Sequence, residues 1–176
     1  MGNPTTGGGM EHSSYTTVFG SLASYDKGGV ELINDDPRHY AFSNMFDVAA
    51  SSKPWEKVAI AKNFEYVLEV VRAEGTSPWH TAAHDEFAVC MDGEVAIELV
   101  KLDASPLPAD AEGAVIVDGD PVGRKMGRIV LQRGHQGLLP AGSAYRFVAS
   151  RPSVLMIQTI AGPLTQFRWS EICQTV

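Results

Sequence analysis

From Val58 onward, apolar and polar residues alternate with a period of two. In residues 63–71 (NFEYVLEVV), Phe64, Tyr66, Leu68 and Val70 share one face, and Glu65 and Glu69 fall on the other. Glu and Leu also suit a helix, but the β-branched and aromatic content favours a strand. Residues 94–101 (EVAIELVK) alternate likewise, opening after the turn signal Asp92-Gly93. Residues 128–131, 145–148 and 154–159 read as further short strands. Arg133-Gly134, Pro140-Ala141-Gly142 and Arg151-Pro152 separate them as turns. Many short strands punctuated by Gly and Pro predict an all-β sandwich or small barrel of jelly-roll type.

The flanks follow different rules. Residues 1–14 (MGNPTTGGGMEHSS) have almost nothing to bury and read as a flexible tail. Residues 15–57 form an irregular arm whose scattered aromatics, Phe19, Tyr25, Tyr40, Phe42 and Phe46, dock either on a partner or on the chain's own barrel. Residues 58–176 then make the barrel. Within it, the Pro-, Gly- and Asp-rich stretch between Lys101 and Gly127 reads as a surface excursion with one short strand. Residues 164–172 suit one short amphipathic C-terminal helix, with Leu164, Phe167 and Ile172 toward the barrel.

At 176 residues the chain is one domain's worth and can bury a core. A formal charge of −7 argues against nucleic acid or an anionic membrane surface as partner. No apolar run approaches the ~20 residues of a membrane span, and no secretory signal opens the chain. The widely separated Cys90 and Cys173 suit free thiols, which favours a cytoplasmic setting.

Two stretches, from Gly75 to Gly93 and from Gly134 to Ala149, resemble the paired motifs of the cupin superfamily. The second runs Gly134-x5-Pro140-x-Gly142-x2-Tyr145, and the first closes as Glu86-x6-Gly93. In that superfamily the first motif supplies two His and a Glu, and the second a third His, to one metal in a barrel. Side chains two apart on a strand point the same way, ~6–7 Å along it, so His-x-His converges on one ion. Here His80 and Glu86 keep their places. Ala82 and Tyr145 stand where the other two His belong, and Ala149 replaces a frequent Asn. The motif therefore predicts a vestigial metal site at His80, Ala82, Glu86 and Tyr145, with no metal bound by this chain. A buried Glu86 then needs another partner, and the Tyr145 hydroxyl is the candidate.

One alternative is a self-sufficient metal enzyme that uses His80, His84 and Glu86 as a two-His, one-carboxylate set. On one straight strand His80 and His84 would stand ~13 Å apart, so this needs a bend between them. Structural use of His84 beside Asp85 is the simpler reading. A third possibility is a small-molecule-binding cupin in which Tyr145 and Glu86 contact a ligand. His135 has no partner at a ligand spacing and reads as a polar loop residue. Neither cysteine, nor Ser143, nor Gly7-Gly8-Gly9 lies in a nucleophile or phosphate-loop context.

Trp79 precedes His80 and should point oppositely, out of the barrel. Outward Trp suits an anchor at a subunit contact, or else packing under the arm or the C-terminal helix. Trp55 and Trp169 read as core or interface residues.

A narrower family is resembled by GGVELINDDPRHYAFSNMFDVA, VRAEGTSPWHTAAHDEFAVCMDGEV and GRIVLQRGHQGLLPAGSAYRFVASRPSVLMIQTI. Together they are similar to the small subunit of two-component hydroquinone 1,2-dioxygenases, from about Val18 to the C-terminus. That resemblance implies a hetero-oligomer with a larger cupin-like catalytic subunit, two small chains with two large, and Fe(II) held in the large one. It implies ring cleavage of hydroquinones with O2 to 4-hydroxymuconic semialdehydes. No catalytic residue is carried over to this chain. Trp79 is the residue expected to contribute a wall to the partner's substrate pocket.

Overall fold

The structure, a computed structural model, describes residues 44–108 and 110–172. The elements run α1 (Met45–Ser51), β1 (Lys57–Asn63), β2 (Tyr66–Thr76), β3 (His80–Ala82), β4 (Glu86–Asp92) and β5 (Glu94–Leu102). They continue as β6 (Ala114–Ile116), β7 (Gly123–Gln132), β8 (Gln136–Leu139), β9 (Ser143–Ile160), β10 (Thr165–Gln166) and α2 (Trp169–Ile172). The strands curl into a cupin-type barrel organised around β9, which pairs with β2, β3, β4 and β5. Apart from β1 with β10, the strand pairs are antiparallel.

Residues 145–148 and 154–159 are one strand, not two. Arg151-Pro152 does not end β9, because the β2 ladder shifts register between Ala73 and Gly75 opposite them. A proline lacks an N–H, and a register shift is where a ladder can do without one. Beyond that point β9 exchanges β5 for β4 as its neighbour, which turns the sheet around the barrel.

The expected strand at 63–71 breaks instead into a hairpin. Phe64 takes φ 56° at its turn and is 83% exposed, and β2 begins at Tyr66. Along β2 the inward face is Val67, Glu69, Val71 and Ala73, so Glu69 points into the barrel and is buried. Leu68 and Val70 face outward, Val70 beneath the helices. The excursion carries one short strand, β6, as expected, while β7 begins earlier than read, at Gly123.

The interior is apolar over most of its depth, with Val71, Ile97, Leu99, Leu139, Phe147, Leu155 and Ile157 in one cluster. Burying a side chain such as Phe147 stabilises the fold by about 2–3 kcal/mol. Trp55 stacks on that ring at 6.1 Å between centroids. A second cluster lies outside the sheet, where Val48 and Ala49 of α1 and Ile172 of α2 cover Val58, Val70 and Val154. Asn44 caps α1, its side chain accepting from the N–H of Phe46 and of Asp47.

The C-terminal helix is shorter than expected. Only Trp169–Ile172 is helical, while Thr165 and Gln166 form β10 along β1, and Phe167 is 47% exposed. Tail 1–14 and most of arm 15–57 lie outside the described residues, as does Cys173. Within that arm the structure describes residues 44–57, which include α1.

Candidate functional site

The two cupin motifs meet through backbone contacts. Gly142 N–H donates to Ala82 C=O at 2.9 Å, and Asp85 Oδ1 accepts from Ala141 N–H at 2.8 Å. The Pro-Ala-Gly turn is thus fastened to the bend before Glu86. At the other end, Ser77 exchanges backbone and side-chain hydrogen bonds with Phe147, and Trp79 C=O accepts from Val117 N–H. These clamps set the register in which His80 lies directly opposite Tyr145.

Glu86 arrives from β4, whose inward face is Glu86, Ala88 and Cys90. The Tyr145 hydroxyl donates to Glu86 Oε2 at 2.5 Å, and both side chains are buried. His80 stacks on the Tyr145 ring with 5.6 Å between centroids. The sequence thus brings His80, Glu86 and Tyr145 together as read, with Ala82 buried nearby on β3.

Two further residues complete this polar end of the barrel, and the sequence reading missed both. Lys57 on β1 is 3% exposed, and its Nζ stands 3.8 Å from Glu69 Oε2 and 5.9 Å from the Tyr145 ring centroid. Glu69 Oε1 accepts from the Thr165 hydroxyl at 2.6 Å. Glu69 alternates in phase with Val67, Val71 and Ala73, but Tyr66, Leu68 and Val70 make the other face as apolar, so the alternation does not say which face is inward. Buried carboxylates need a compensating cation. Here the ammonium of Lys57 supplies it.

Burial sets the protonation states. Burial pushes His80 down to about 3, with Lys57 adding to the effect and the Pro78 carbonyl opposing it. His80 is therefore neutral at physiological pH. Burial raises Glu69 above the ordinary carboxylate range, against the pull of Lys57 and the Thr165 hydroxyl. Burial, reinforced by the charge of Glu86, raises Tyr145 well above an ordinary phenol.

The donors do not fit a cupin metal. Two of the four ligand positions hold Ala82 and Tyr145, and Tyr145 engages Glu86 Oε2. His84 is not brought to His80 and Glu86. Its Nε2 lies 2.9 Å from Thr159 Oγ1 and accepts from Ile160 N–H. Among the described residues, no group of three or more His, Cys, Asp or Glu is placed to hold a metal ion. His135 is an exposed turn residue whose Nδ1 accepts from Gln132 N–H.

Trp79 faces away from His80. Its half-buried ring packs under the Arg146 guanidinium at 4.6 Å, and Arg146 is held by Glu98 at 2.6 Å. Among the described residues, nothing pairs with the buried indole N–H. Trp55 packs against the barrel core and Trp169 against the outer cluster. Among the described residues, no helix is long and apolar enough to cross a membrane.

No protein-family model and no curated protein matches the chain. Solved structures do. The chain is similar to one in the crystal structure of hydroquinone 1,2-dioxygenase PnpCD with Cd2+ and 4-hydroxybenzonitrile. Identity is 56%, the TM-score is 0.85, and the match covers 93% of this chain and 99% of that one. It is similar to one in hydroquinone 1,2-dioxygenase from Sphingomonas sp. TTNP3 with 4-hydroxybenzoate bound. There identity is 57%, the TM-score is 0.86, and coverage is 92% and 98%. The fold alone recurs in a longer chain of PnpCD crystallised with Fe3+. That likeness has 15% identity and a TM-score of 0.59, and covers 81% of this chain but 40% of that one.

Proposed function

Because this chain belongs to the hydroquinone 1,2-dioxygenase family, we propose that it is the small subunit of a two-component, ring-cleaving dioxygenase. It holds no metal of its own and stabilises a larger cupin-like subunit that carries Fe(II), as two small and two large chains. The complex takes a hydroquinone and O2 to a 4-hydroxymuconic semialdehyde, with both oxygen atoms entering the product. It works in the cytoplasm.

One observation carries this reading: near-complete coverage at 56–57% identity by chains of two such enzymes. Crystal structures of the same PnpCD enzyme also contain a longer chain of like fold, which supports a two-chain complex. The division of labour is supported by Tyr145, which turns a ligand position into an internal hydrogen bond to Glu86. Trp79 gives this chain a part in the shared pocket. Its outward ring, held flat by Arg146, forms an apolar wall for the substrate ring.

The test is co-expression with a larger cupin-like partner. The expected product is a stable complex that retains iron and consumes O2 with hydroquinone, while this chain purified alone retains none after dialysis. Stoichiometric iron or manganese on the isolated chain overturns the reading.

A further inference from the structure

Among the described residues, the outer face of the sheet is only half covered. One row of it crosses five strands through Leu138, Phe87, Gln158, Leu68 and Ala61, each the register partner of the next. The adjoining row holds Val70 and Val58, which the helices α1 and α2 cover. The first row carries no charge. Its Leu138 and Phe87 are 43% and 44% exposed, and Tyr66, next along the same face of β2, is 52% exposed. At that exposure the three side chains offer roughly 300 Å² of surface, against the ~800 Å² per partner of a stable protein–protein interface. The row is thus too small to hold a second copy or another chain by itself, and it suits a segment tethered beside it.

The chain supplies such a segment. Met45 and Phe46, at the start of α1, already pack on this face within the outer cluster. Residues 15–43, outside the described residues, lead directly into Asn44, the cap of α1, and carry Phe19, Tyr25, Tyr40 and Phe42. An extended chain spans about 3.5 Å per residue, so Phe42 lies within about 7 Å of Asn44 and Tyr40 within about 14 Å. Adjacent strands lie about 4.8 Å apart, so a row of five is about 19 Å wide. We propose that residues 15–43 dock on this row, with Tyr40 and Phe42 against Leu68 and Phe87, and so extend the cover that α1 begins. Aromatic rings match the exposed apolar side chains, and a short tether sets an effective concentration of order millimolar that a free partner has to exceed.

The experiment digests the full-length chain with trypsin under native conditions and follows the fragments by mass spectrometry. Lys27 and Arg38 are the only tryptic sites before Asn44. The double variant Phe87→Lys, Leu138→Lys charges the row at two exposed positions. It should speed cleavage at Arg38 about tenfold or more while cleavage within the barrel stays unchanged. Tyr40→Ser with Phe42→Ser leaves every barrel residue in place, and should shift the Leu68 and Leu138 methyl resonances of the full chain. Cleavage at Arg38 at one rate in the native and the charged chain, whether fast or slow, overturns the proposal. Methyl resonances unmoved by the Tyr40 and Phe42 changes overturn it too. Loss of self-association or of partner binding in the charged variant, with Arg38 cleavage unchanged, gives the row to another chain and likewise overturns it.

Discussion

The Tyr145 hydroxyl lies 2.5 Å from Glu86 Oε2, so a phenol holds the carboxylate that a metal ion holds elsewhere in this superfamily. Tyr145→Phe should therefore cost about 1–3 kcal/mol, because it leaves a buried carboxylate without its donor. Urea unfolding of the full chain checks this. A loss below a few tenths of a kcal/mol would show that the contact contributes nothing net.

Lys57→Met removes the internal cation while Glu69 stays buried. Breaking a buried pair from one side costs roughly 3–5 kcal/mol, and replacing both partners with apolar residues costs much less. The double variant Lys57→Met, Glu69→Leu should thus be more stable than Lys57→Met alone. Strict additivity of the two single changes would refute the coupling.

His80 is neutral in the folded chain down to a pKa of about 3, against an ordinary value of 6.5. Below about pH 6.5 the unfolded chain takes up a proton that the folded chain refuses, so stability falls on acidification until about pH 3. Glu69 acts with the opposite sign. Its raised pKa contributes stability that is present below the ordinary carboxylate value and lost as pH rises through the folded one. His80→Gln isolates the first effect. Between pH 7 and 4 the variant should lose less stability than the native chain, by roughly 3 kcal/mol at pH 4. Parallel profiles would remove His80 from the acid limb.

Gly93 ends the first motif with φ 80°, and a Cβ built there meets Ser153 Oγ at 2.1 Å and Ser153 Cβ at 2.7 Å. Ser153 is fully buried, and its hydroxyl accepts from Glu94 N–H, so it has no room to retreat. Gly93→Ala should cost at least about 1–3 kcal/mol in thermal or urea unfolding.

Trp79→Ala concerns the complex. It should leave assembly intact by gel filtration and lower kcat/KM for hydroquinone about tenfold, through KM or kcat. Native kinetics in an assembled complex would exclude the ring from the pocket.

His80, Glu86 and Tyr145 were legible because motif spacing fixes residues on strands whose side chains converge. Lys57 and Glu69 were not, because a charge in the alternation normally marks the wet face. Here that face is the barrel interior, and a cation on a neighbouring strand makes this tolerable. The same pair explains the shortened C-terminal helix: Thr165 hydrogen-bonds Glu69 and draws its segment onto β1 as a strand. Helix α1 escaped notice because its seven residues bury only Val48 and Ala49, too few for a periodic signal. The continuity of β9 through Pro152 depends on a register shift in β2, which no local pattern reveals.

Since β9 is the neighbour of β2, β3, β4 and β5, the barrel cannot close until its eighteen residues have left the ribosome. Strands made early must wait with open edges for a partner translated later. Such long-range pairing folds slowly and exposes strand edges to aggregation meanwhile. Loss of the C-terminal quarter of the chain would therefore yield insoluble protein, not a smaller barrel.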